Sequence, residues 1–233
     1  MKCFPVVVTQ LGSDMELADH YLEGVYNTII VKDVVARKGV SDVVLLKNIA
    51  KFLFGNVGSS ISVAKITDYI NNSGRRITQK TVDKYVKALA DSFLLYPVER
   101  YSIKGKNLLK TLGKYYAVDT GLRNHLLSSL NSDIGHQIEN IVYLELLRRG
   151  YRVNIGKIEE KEIDFVATKQ NSKEYYQVAM SVLDDSVRQR ELNPLQKVSD
   201  NYPKYLLTLD FITGDYEGIM QINIIDWLLS NSQ

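Results

Sequence analysis

Apolar residues recur every three or four positions through residues 1–57, a spacing that predicts helices. Residues 17–29 carry an apolar residue at every fourth position, and Gly39 is the predicted end of this helix. For the next helix, Ser41 is the predicted N-cap and Gly55 is expected just beyond the C-terminal end. We therefore expect residues 1–57 to be an N-terminal helical segment rather than a free-standing domain.

Residues 58–118 combine two amphipathic helices with two strand-like runs. The helices are predicted over "SVAKITDYINNSG" and "ITQKTVDKYVKALADSF", with "NNSGRR" as the turn and Thr78 as the N-cap of the second helix. The strand-like runs "LLYPVERYSI" and "KYYAVD" follow, and "KGKNLLKTLG" is the predicted loop between them. Helix, turn, helix and a basic hairpin are typical of a winged-helix domain.

Residues 119–233 have the pattern of an α/β domain. A helix that ends at Gly150 precedes three predicted strands, "YRVNIGKI", "KEIDFVAT" and "EYYQVAMSV". A second helix, disturbed near Pro194, and the strands in "YPKYLLTLD" and "INIIDWLLS" complete the domain. The predicted fold class is thus a two-domain α+β arrangement: a mainly helical winged-helix domain followed by a PD-(D/E)XK, restriction-endonuclease-like α/β domain.

Several polar residues of this α/β region occupy positions at which a nuclease carries its active-site residues. If "KEIDFVAT" and "EYYQVAMSV" pair as a hairpin, strand alternation puts Asp164 and Val166 on one face and Ile163 on the other. Asp164 and Gln177 would then be neighbours on one side of the hairpin. Glu139 lies beside an apolar stripe of the preceding helix, so that helix would bring its carboxylate to them.

A helix Glu, a strand Asp and an acid-x-Lys on the next strand form the layout of PD-(D/E)XK nucleases. The carboxylates hold Mg²⁺ or Mn²⁺, the metal polarises the phosphate, and the lysine orients the attacking water. Glu139 and Asp164 are therefore candidate metal ligands, and with Gln177 they form the candidate catalytic set. Gln177 replaces the acid and Ala179 replaces the lysine. This departure favours a nuclease scaffold without activity over a working enzyme.

The alternative is that a basic residue at another position replaces the lysine and preserves the nuclease activity. Lys161, Arg188 and Arg190 are the basic residues close to the site in sequence. His136 precedes Glu139 by three residues and could join a metal, although packing or capping is the commoner role of such a residue.

Positive charge is concentrated in one part of the chain. The net charge is only +2, but residues 73–114 hold ten Lys and Arg against three Asp and Glu, a local +7 that leaves −5 elsewhere. A solvated helix face, or packing against a neighbouring domain, is the alternative to contacts with DNA phosphates. The candidate nucleic-acid-binding residues are Arg75, Arg76, Lys80, Lys84, Lys87, Lys104 and Lys106.

Composition limits the remaining function classes. Cys3 is the single cysteine, which excludes an intrachain disulfide or a cysteine-rich zinc site and fits a cytoplasmic location. No apolar run approaches the length of a membrane span, so we expect no membrane partner. No GxxxxGK[ST] motif occurs, so the chain alone is not expected to bind ATP through a P-loop.

Taken together, several segments resemble the C-terminal part of a prokaryotic AAA-type P-loop ATPase family. In that family the ATPase domain is followed by a winged helix and a nuclease-like domain of unknown function known as DUF4143. The resemblance covers nearly all of residues 20–230. It is carried by "YLEGVYNTIIVKDVV", "LLYPVERYSIKGKNLLKTLGKYYAVDTGLRN", "DIGHQIENIVYLELLRRGY", "KEIDFVAT", "YYQVAMS" and "DNYPKYLLTLD".

This resemblance implies three domains. Residues 1–57 would be a remnant of the ATPase lid, 58–118 the winged helix and 119–233 the DUF4143-like domain. It also implies that Gln177 and Ala179 represent a form common in one branch of the family. The ATPase core itself is absent, so we expect a truncated chain, a split gene product or a remnant. An ATPase partner, with its ATP, would have to be supplied in trans.

Three functions follow as hypotheses. The first is a DNA- or partner-binding module whose nuclease-like domain is inactive. The second is a metal-dependent DNA endonuclease that uses Glu139, Asp164 and Gln177. The third is a protein-assembly module without DNA binding.

Overall fold

A computed structural model describes residues 4–9, 14–127 and 134–230 of the chain. They form two compact units, one of Met1–Pro97 with Lys114–Ser132 and one of Val98–Gly113 with Asp133–Gln233. The boundary between the units therefore falls within the strands of one hairpin. The three-part division at residues 57 and 118 stays a prediction.

The first unit is helical, as its apolar spacing predicts. A π-helical segment (Ile29–Ala36) directly continues α2, and Gly39, at φ +61°, stands at the predicted stop. The helices of this unit are α1 (Pro5–Thr9), α2 (Met15–Thr28), α3 (Val43–Gly55), α4 (Val63–Asn72), α5 (Gln79–Asp91) and α6 (Thr120–Leu127).

The cap of α3 differs from the prediction by one residue. Asp42, not Ser41, is the N-cap, and its carboxylate accepts the Leu45 N–H at 2.9 Å. This hydrogen bond, together with the nearby Arg75 guanidinium, lowers the pKa of Asp42. Gly55 is the last residue of the helix rather than the residue beyond it.

The helix-turn-helix pattern is present as two capped, amphipathic helices. The Ser62 hydroxyl caps α4, and the Thr78 hydroxyl accepts the Thr81 N–H at 3.3 Å at the start of α5, as predicted. Ile66 and Ile70 of α4 are buried. The buried face of α5 consists of Val82, Tyr85, Val86, Ala88 and Leu89.

The described residues contain one mixed sheet of eight strands in the order β2-β1-β3-β4-β5-β6-β8-β7. Neighbouring strands β3, β4 and β5 are antiparallel, whereas β6 is parallel to both β5 and β8. This confirms the α/β class in coarse terms. The strands are β1 (Leu95–Ser102), β2 (Asn107–Ala117), β3 (Arg152–Ile158), β4 (Lys161–Lys169), β5 (Ser172–Val178), β6 (Lys204–Thr208), β7 (Gly214–Tyr216) and β8 (Ile219–Asn223).

The predicted loop "KGKNLLKTLG" is wrong over most of its length. From Asn107 onward it belongs to β2, and only a short turn separates β2 from β1. Gly113 allows the two strands to approach, because a Cβ there would lie 2.3 Å from the Val98 carbonyl oxygen.

Helices cover both faces of this sheet in the second unit. These are α7 (Ile134–Arg148), α8 (Asp185–Gln196) and α9 (Ile224–Leu229). Leu195 of α8 shares a core cluster with Val166 and Tyr175. On the opposite face, the Tyr143 ring of α7 lies 6.0 Å from the Phe165 ring. Alternation along β4 and β5 thus separates an α8 face from an α7 face.

Strict alternation fails at one point of β4. The β3–β4 register shifts between Asn154 and Gly156, so that Asp164 and Phe165 together oppose Ile155. Such a β-bulge bends the strand and redirects the side chains beside it. Ile163 and Val166 consequently lie in the same core cluster. The prediction that they occupy opposite faces is wrong.

Gly156 lies in the most crowded part of this bulge. A Cβ at this position would lie 2.9 Å from Val166 Cγ2 and 3.0 Å from Ile163 Cβ. The first contact is closer than real Cβ atoms show, and the second is tighter than nearly all of them, so a side chain here would displace the core.

We predict that Gly156→Ala lowers the free energy of unfolding by about 1–3 kcal/mol, because the added methyl overpacks the cluster. The matched control is Gly24→Ala in α2, where a Cβ would meet nothing within 4 Å. That variant should gain about 0.5–1 kcal/mol from helix propensity. Urea unfolding followed by circular dichroism measures both. Equal stabilities of the two variants would contradict the close packing at Gly156.

Candidate functional site

Asp164 and Gln177 are joined across the β4–β5 hairpin. The Asp164 N–H donates to Gln177 Oε1 at 3.4 Å, and Asp164 Oδ2 accepts the Val178 N–H at 2.9 Å. Both side chains are buried. The bulge at Asp164 turns its carboxylate toward the neighbouring strand, where the backbone holds it.

A third polar residue reaches this pair from α8. The Gln177 amide donates from Nε2 to Glu191 Oε2 at 2.9 Å, and Glu191 Oε1 accepts from the Arg190 guanidinium at 2.8 and 3.0 Å. The Glu191 side chain is only 12% exposed. Asp164, Gln177 and Glu191 therefore form one hydrogen-bonded network, which we call the carboxylate–amide network.

Glu191 was missed by the sequence reasoning, although a signal for it exists. It lies four residues from both Val187 and Leu195, which pack in the core, so its carboxylate shares the apolar face of α8. The same signal identified Glu139. The sequence predicts a helix disturbed near Pro194, whereas α8 runs through Pro194 without interruption.

Glu139 lies on α7, the helix that packs on β3, β4 and β5. Its side chain is buried, and it interacts with other groups of the chain. His136 lies one turn earlier on the same helix, where it is half-buried. In the described ranges, no three His, Cys, Asp or Glu side chains are grouped as a metal ion would need. Asp164 Oδ2 is used by a backbone donor instead.

The two arginines expected as substitute bases have other contacts. Arg188 donates to Asp185 and to the Val182 carbonyl oxygen, and Arg190 binds Glu191. Lys161 is exposed at the start of β4. Ala179, at the position of the nuclease lysine, packs partly buried against the core cluster.

Some of the candidate nucleic-acid-binding residues are held by the protein itself. Arg75 Nη1 lies 3.0 Å from Asp42 Oδ2, and Lys84 Nζ donates to the Gly39 carbonyl oxygen at 3.1 Å. Lys104 Nζ lies 2.7 Å from Glu159 Oε1. Part of the local +7 is therefore neutralised or used to join elements.

The remaining candidates are exposed. Arg76 lies in the helix-helix turn, Lys80 and Lys87 lie on α5, and Lys106 lies in the β1–β2 turn. Within the described part of the chain, none of these four side chains has an ion-pair partner. The hydrogen bond from Lys38 and, to a smaller extent, the charge of Lys87 lower the pKa of Asp91, so Lys87 is partly used within the protein. The charges of Arg76, Lys80 and Lys106 are available to an anion from outside.

Glu159 anchors the β1–β2 turn through Lys104 and also binds Lys197, the residue that follows α8. Its carboxylate lies 2.7 Å from Lys104 Nζ and 2.6 Å from Lys197 Nζ. The pKa of Glu159 is lowered to about 2, mainly by the hydrogen bond from Lys104 and next by the hydrogen bond from Lys197.

Comparisons with known proteins identify a family but no activity. Residues 3–133 match the family described as Domain of unknown function (DUF8612), and since this is more than half of the chain, the chain belongs to that family. An "Uncharacterized protein" of Haemophilus influenzae is 37% identical over 227 residues, which is 97% of this chain and 55% of the relative. "Uncharacterized protein MJ1544" of Methanocaldococcus jannaschii is 29% identical over 218 residues, 91% of this chain and 46% of the relative.

The chain thus spans about half the length of the curated relatives that it matches. No solved structure matches it. Among its described residues, no helix combines the length and apolar character that a membrane crossing requires.

These matches overturn the family assignment made from sequence. The family found is the DUF8612 domain, not the AAA-type ATPase family with a DUF4143 domain, and both relatives are uncharacterised. The physical reason is that helices, turns and hairpins with ordinary apolar spacing are shared by many families, so ordered similarity of such segments is a weak discriminator.

We predict that the stabilising effect of Glu159 depends on pH between about 4.5 and about 2. Its pKa is lower in the folded chain than the ordinary value of 4.5, so its contribution is complete above pH 4.5 and is lost as the pH falls through 2. The stability difference between wild type and Glu159→Gln should shrink over this range.

Urea unfolding at a series of pH values measures this difference. Glu160→Gln is the matched control, because Glu160 is 96% exposed and lies 3.8 Å from Lys157. A difference for Glu159→Gln that does not change with pH would contradict the anchoring role.

Proposed function

We propose that this chain is a nucleic-acid-binding module with a nuclease-like unit that does not hydrolyse DNA. The observation that carries the proposal is the set of exposed cations on and around a capped helix-turn-helix, Arg76, Lys80 and Lys87, of which Arg76 and Lys80 have no carboxylate partner among the described residues. This surface suits phosphate contacts, which position DNA without reading its sequence.

The order of elements supports a winged-helix reading of the first part. Two helices joined by a short turn, α4 and α5, are followed by the hairpin β1–β2. In winged-helix domains the second helix enters the major groove and the hairpin touches the backbone nearby. Lys80 and Lys87 belong to the second of these helices here.

The order of elements in the second unit supports a nuclease-like reading. A helix, three antiparallel strands, a second helix and a strand parallel to the third occur as α7, β3, β4, β5, α8 and β6. Asp164 and Gln177 lie at the hairpin where the PD-(D/E)XK pattern places its acids. Ala179 offers no cation for the attacking water or the developing charge.

A metal-dependent endonuclease is the second candidate, because of one observation. Glu191 brings a carboxylate to within 2.9 Å of the amide that replaces the usual acid. Asp164, Glu191 and the Gln177 amide oxygen offer oxygen ligands of the kind that Mg²⁺ prefers. A basic residue near them would still be required, and Arg190 already neutralises Glu191.

We predict salt-dependent binding of duplex DNA that depends on α5. Arg76→Gln and Lys87→Gln should each weaken binding for all sequences alike and reduce the slope of log affinity against log salt by about 1. Fluorescence anisotropy with a labelled duplex at several salt concentrations measures the slope.

The control for this experiment is Lys47→Gln on α3. It removes the same charge, but Lys47 donates to Asn27 at 3.2 Å and lies over the Tyr26 ring. Equal slopes for all three variants, or no binding at low salt, would refute the α5 surface and favour the protein-assembly role.

We further predict no cleavage of supercoiled DNA with Mg²⁺ or Mn²⁺, because the lysine position is Ala179. Gel electrophoresis of wild type beside Asp164→Ala and Glu191→Gln provides the measurement. Cleavage that both variants abolish, and that the exposed-site control Glu160→Gln retains, would establish the endonuclease instead.

A further inference from the structure

A small pocket in the second unit lies away from the carboxylate–amide network. Its volume is about 220 Å³, and the β1–β2 turn and the strands β1, β3 and β4 enclose it. We call it the Tyr101 pocket. Its lining residues are Tyr101, Lys106, Asn107, Leu108, Arg152, Asn154, Val166 and Thr168.

Strand register explains why these residues meet. Arg152 is directly opposite Thr168, and Asn154 is directly opposite Val166, so one face of β3 and β4 supplies all four. Gly156 comes next on that face and has no side chain to cover it. The pocket is therefore built on ordered strands rather than on loops alone.

The lining is polar and positively charged. It contains two cations, two amides and two hydroxyls but no carboxylate. Arg152 and Lys106 are exposed, and neither has an ion-pair partner within the described ranges. Cations that the protein leaves unpaired at a concave surface favour an anion.

A fourth strand adds charge beside the pocket. Lys173 of β5 is opposite Thr168, and its Nζ lies 5.6 Å from the centre of the Tyr101 ring. It also lies over the Tyr202 ring at 5.0 Å and 4.0 Å from Asp200 Oδ2. The charge of Lys173 is thus partly neutralised by Asp200, so Arg152 and Lys106 provide most of the attraction for an anion.

The turn that presents Lys106 is held in place. Lys106 has φ +50°, a left-handed conformation that non-glycine residues rarely adopt, and the Ser102 hydroxyl accepts the Gly105 N–H at 3.0 Å. Lys104 of the same turn is bound to Glu159. The turn therefore directs one lysine to the protein and leaves the next at the pocket.

The size of the pocket limits the ligand. Pockets for drug-sized molecules measure about 300–1,000 Å³, so this one suits a single phosphate and part of a sugar rather than a whole cofactor. The aromatic ring of Tyr101 provides a surface on which an adjoining base can stack. A nucleotide offers both groups that such a site would bind, a phosphate for the cations and a flat base for the Tyr101 ring.

We propose that the Tyr101 pocket binds the phosphate group of one nucleotide unit. Arg152 and Lys106 neutralise the phosphate, Asn107 supplies a hydrogen-bond donor, and Tyr101 stacks on the base. The Thr168 hydroxyl donates to the Arg152 carbonyl oxygen at 3.3 Å and so holds the wall of the pocket. The phosphate belongs to a nucleic-acid strand or to a free nucleotide. The strand form rests on the proposed function, whereas the phosphate site itself does not.

The first test measures affinity for a labelled single-stranded oligonucleotide. Arg152→Gln and Lys106→Gln should each reduce the salt slope by about 0.7, the value for single strands. Lys157→Gln, on the same strand but outside the pocket, is the charge-matched control. Tyr101→Ala should weaken binding about tenfold, whereas Tyr101→Phe should retain most of it, because stacking needs the ring and not the hydroxyl.

The second test separates this proposal from the proposed function. A titration of ¹⁵N-labelled protein with a deoxynucleoside monophosphate, and separately with inorganic phosphate, reports binding at the amides of the pocket. Shifts that Arg152→Gln removes, without any binding of DNA, would support the phosphate site for a free nucleotide and refute the DNA-binding function.

The opposite result is equally decisive. If DNA binds through Arg76 and Lys87, while Arg152→Gln and Lys106→Gln behave as Lys157→Gln does and no pocket amide shifts, the Tyr101 pocket proposal is overturned. The DNA-binding function would then stand without it.

Discussion

The bulge of β4 at Asp164 and Phe165 is the constraint on which the second unit depends. Two residues oppose one there, so the strand turns Asp164 toward β5 and keeps Phe165 against α7. The bulge fits only because Gly156 lacks a side chain, and the same bare position continues the face that lines the Tyr101 pocket. The bulge thus positions the carboxylate–amide network, whereas the pocket lies beside it on regularly paired residues. Val166, which packs against Gly156 and also lines the pocket, links the two.

Much of the fold could be predicted from local patterns, because those patterns act within a few residues. The Thr78 cap, the stop at Gly39 and the hairpin that joins Asp164 to Gln177 all depend on near neighbours or on strand period. The bulge could not be predicted, because an extra residue in one strand can be recognised only when its pairing with the neighbouring strand is known. Glu191 was missed for a related reason: its importance comes from Gln177, fourteen residues away along the chain.

Charge is the property that sequence predicted least well, because a lysine in a sequence carries no record of its partner. Lys104 and Lys106 are two residues apart in one turn, yet Lys104 is bound to Glu159 and Lys106 faces the pocket. Arg75 and Arg76 are adjacent, yet Arg75 is bound to Asp42 and Arg76 is exposed. Screening by salt makes exposed pairs weak, so the bound lysines and arginines add little stability. The main effect of these ion pairs is to reduce the positively charged surface that remains available to phosphate groups.

The carboxylate–amide network is electrostatically self-consistent without the acid-x-Lys pattern of nucleases. An acid-x-Lys pair carries one negative and one positive charge, and Gln177 with Ala179 carries neither, so the local balance is kept without a metal. A second buried carboxylate at position 177 would face Glu191 at hydrogen-bond distance and would raise the cost of both charges. The amide instead donates to Glu191 and accepts from Asp164, which satisfies groups that burial would otherwise penalise. Introducing that pattern would therefore take two coordinated changes, an acid at 177 and a lysine at 179, and either change alone should destabilise the folded chain.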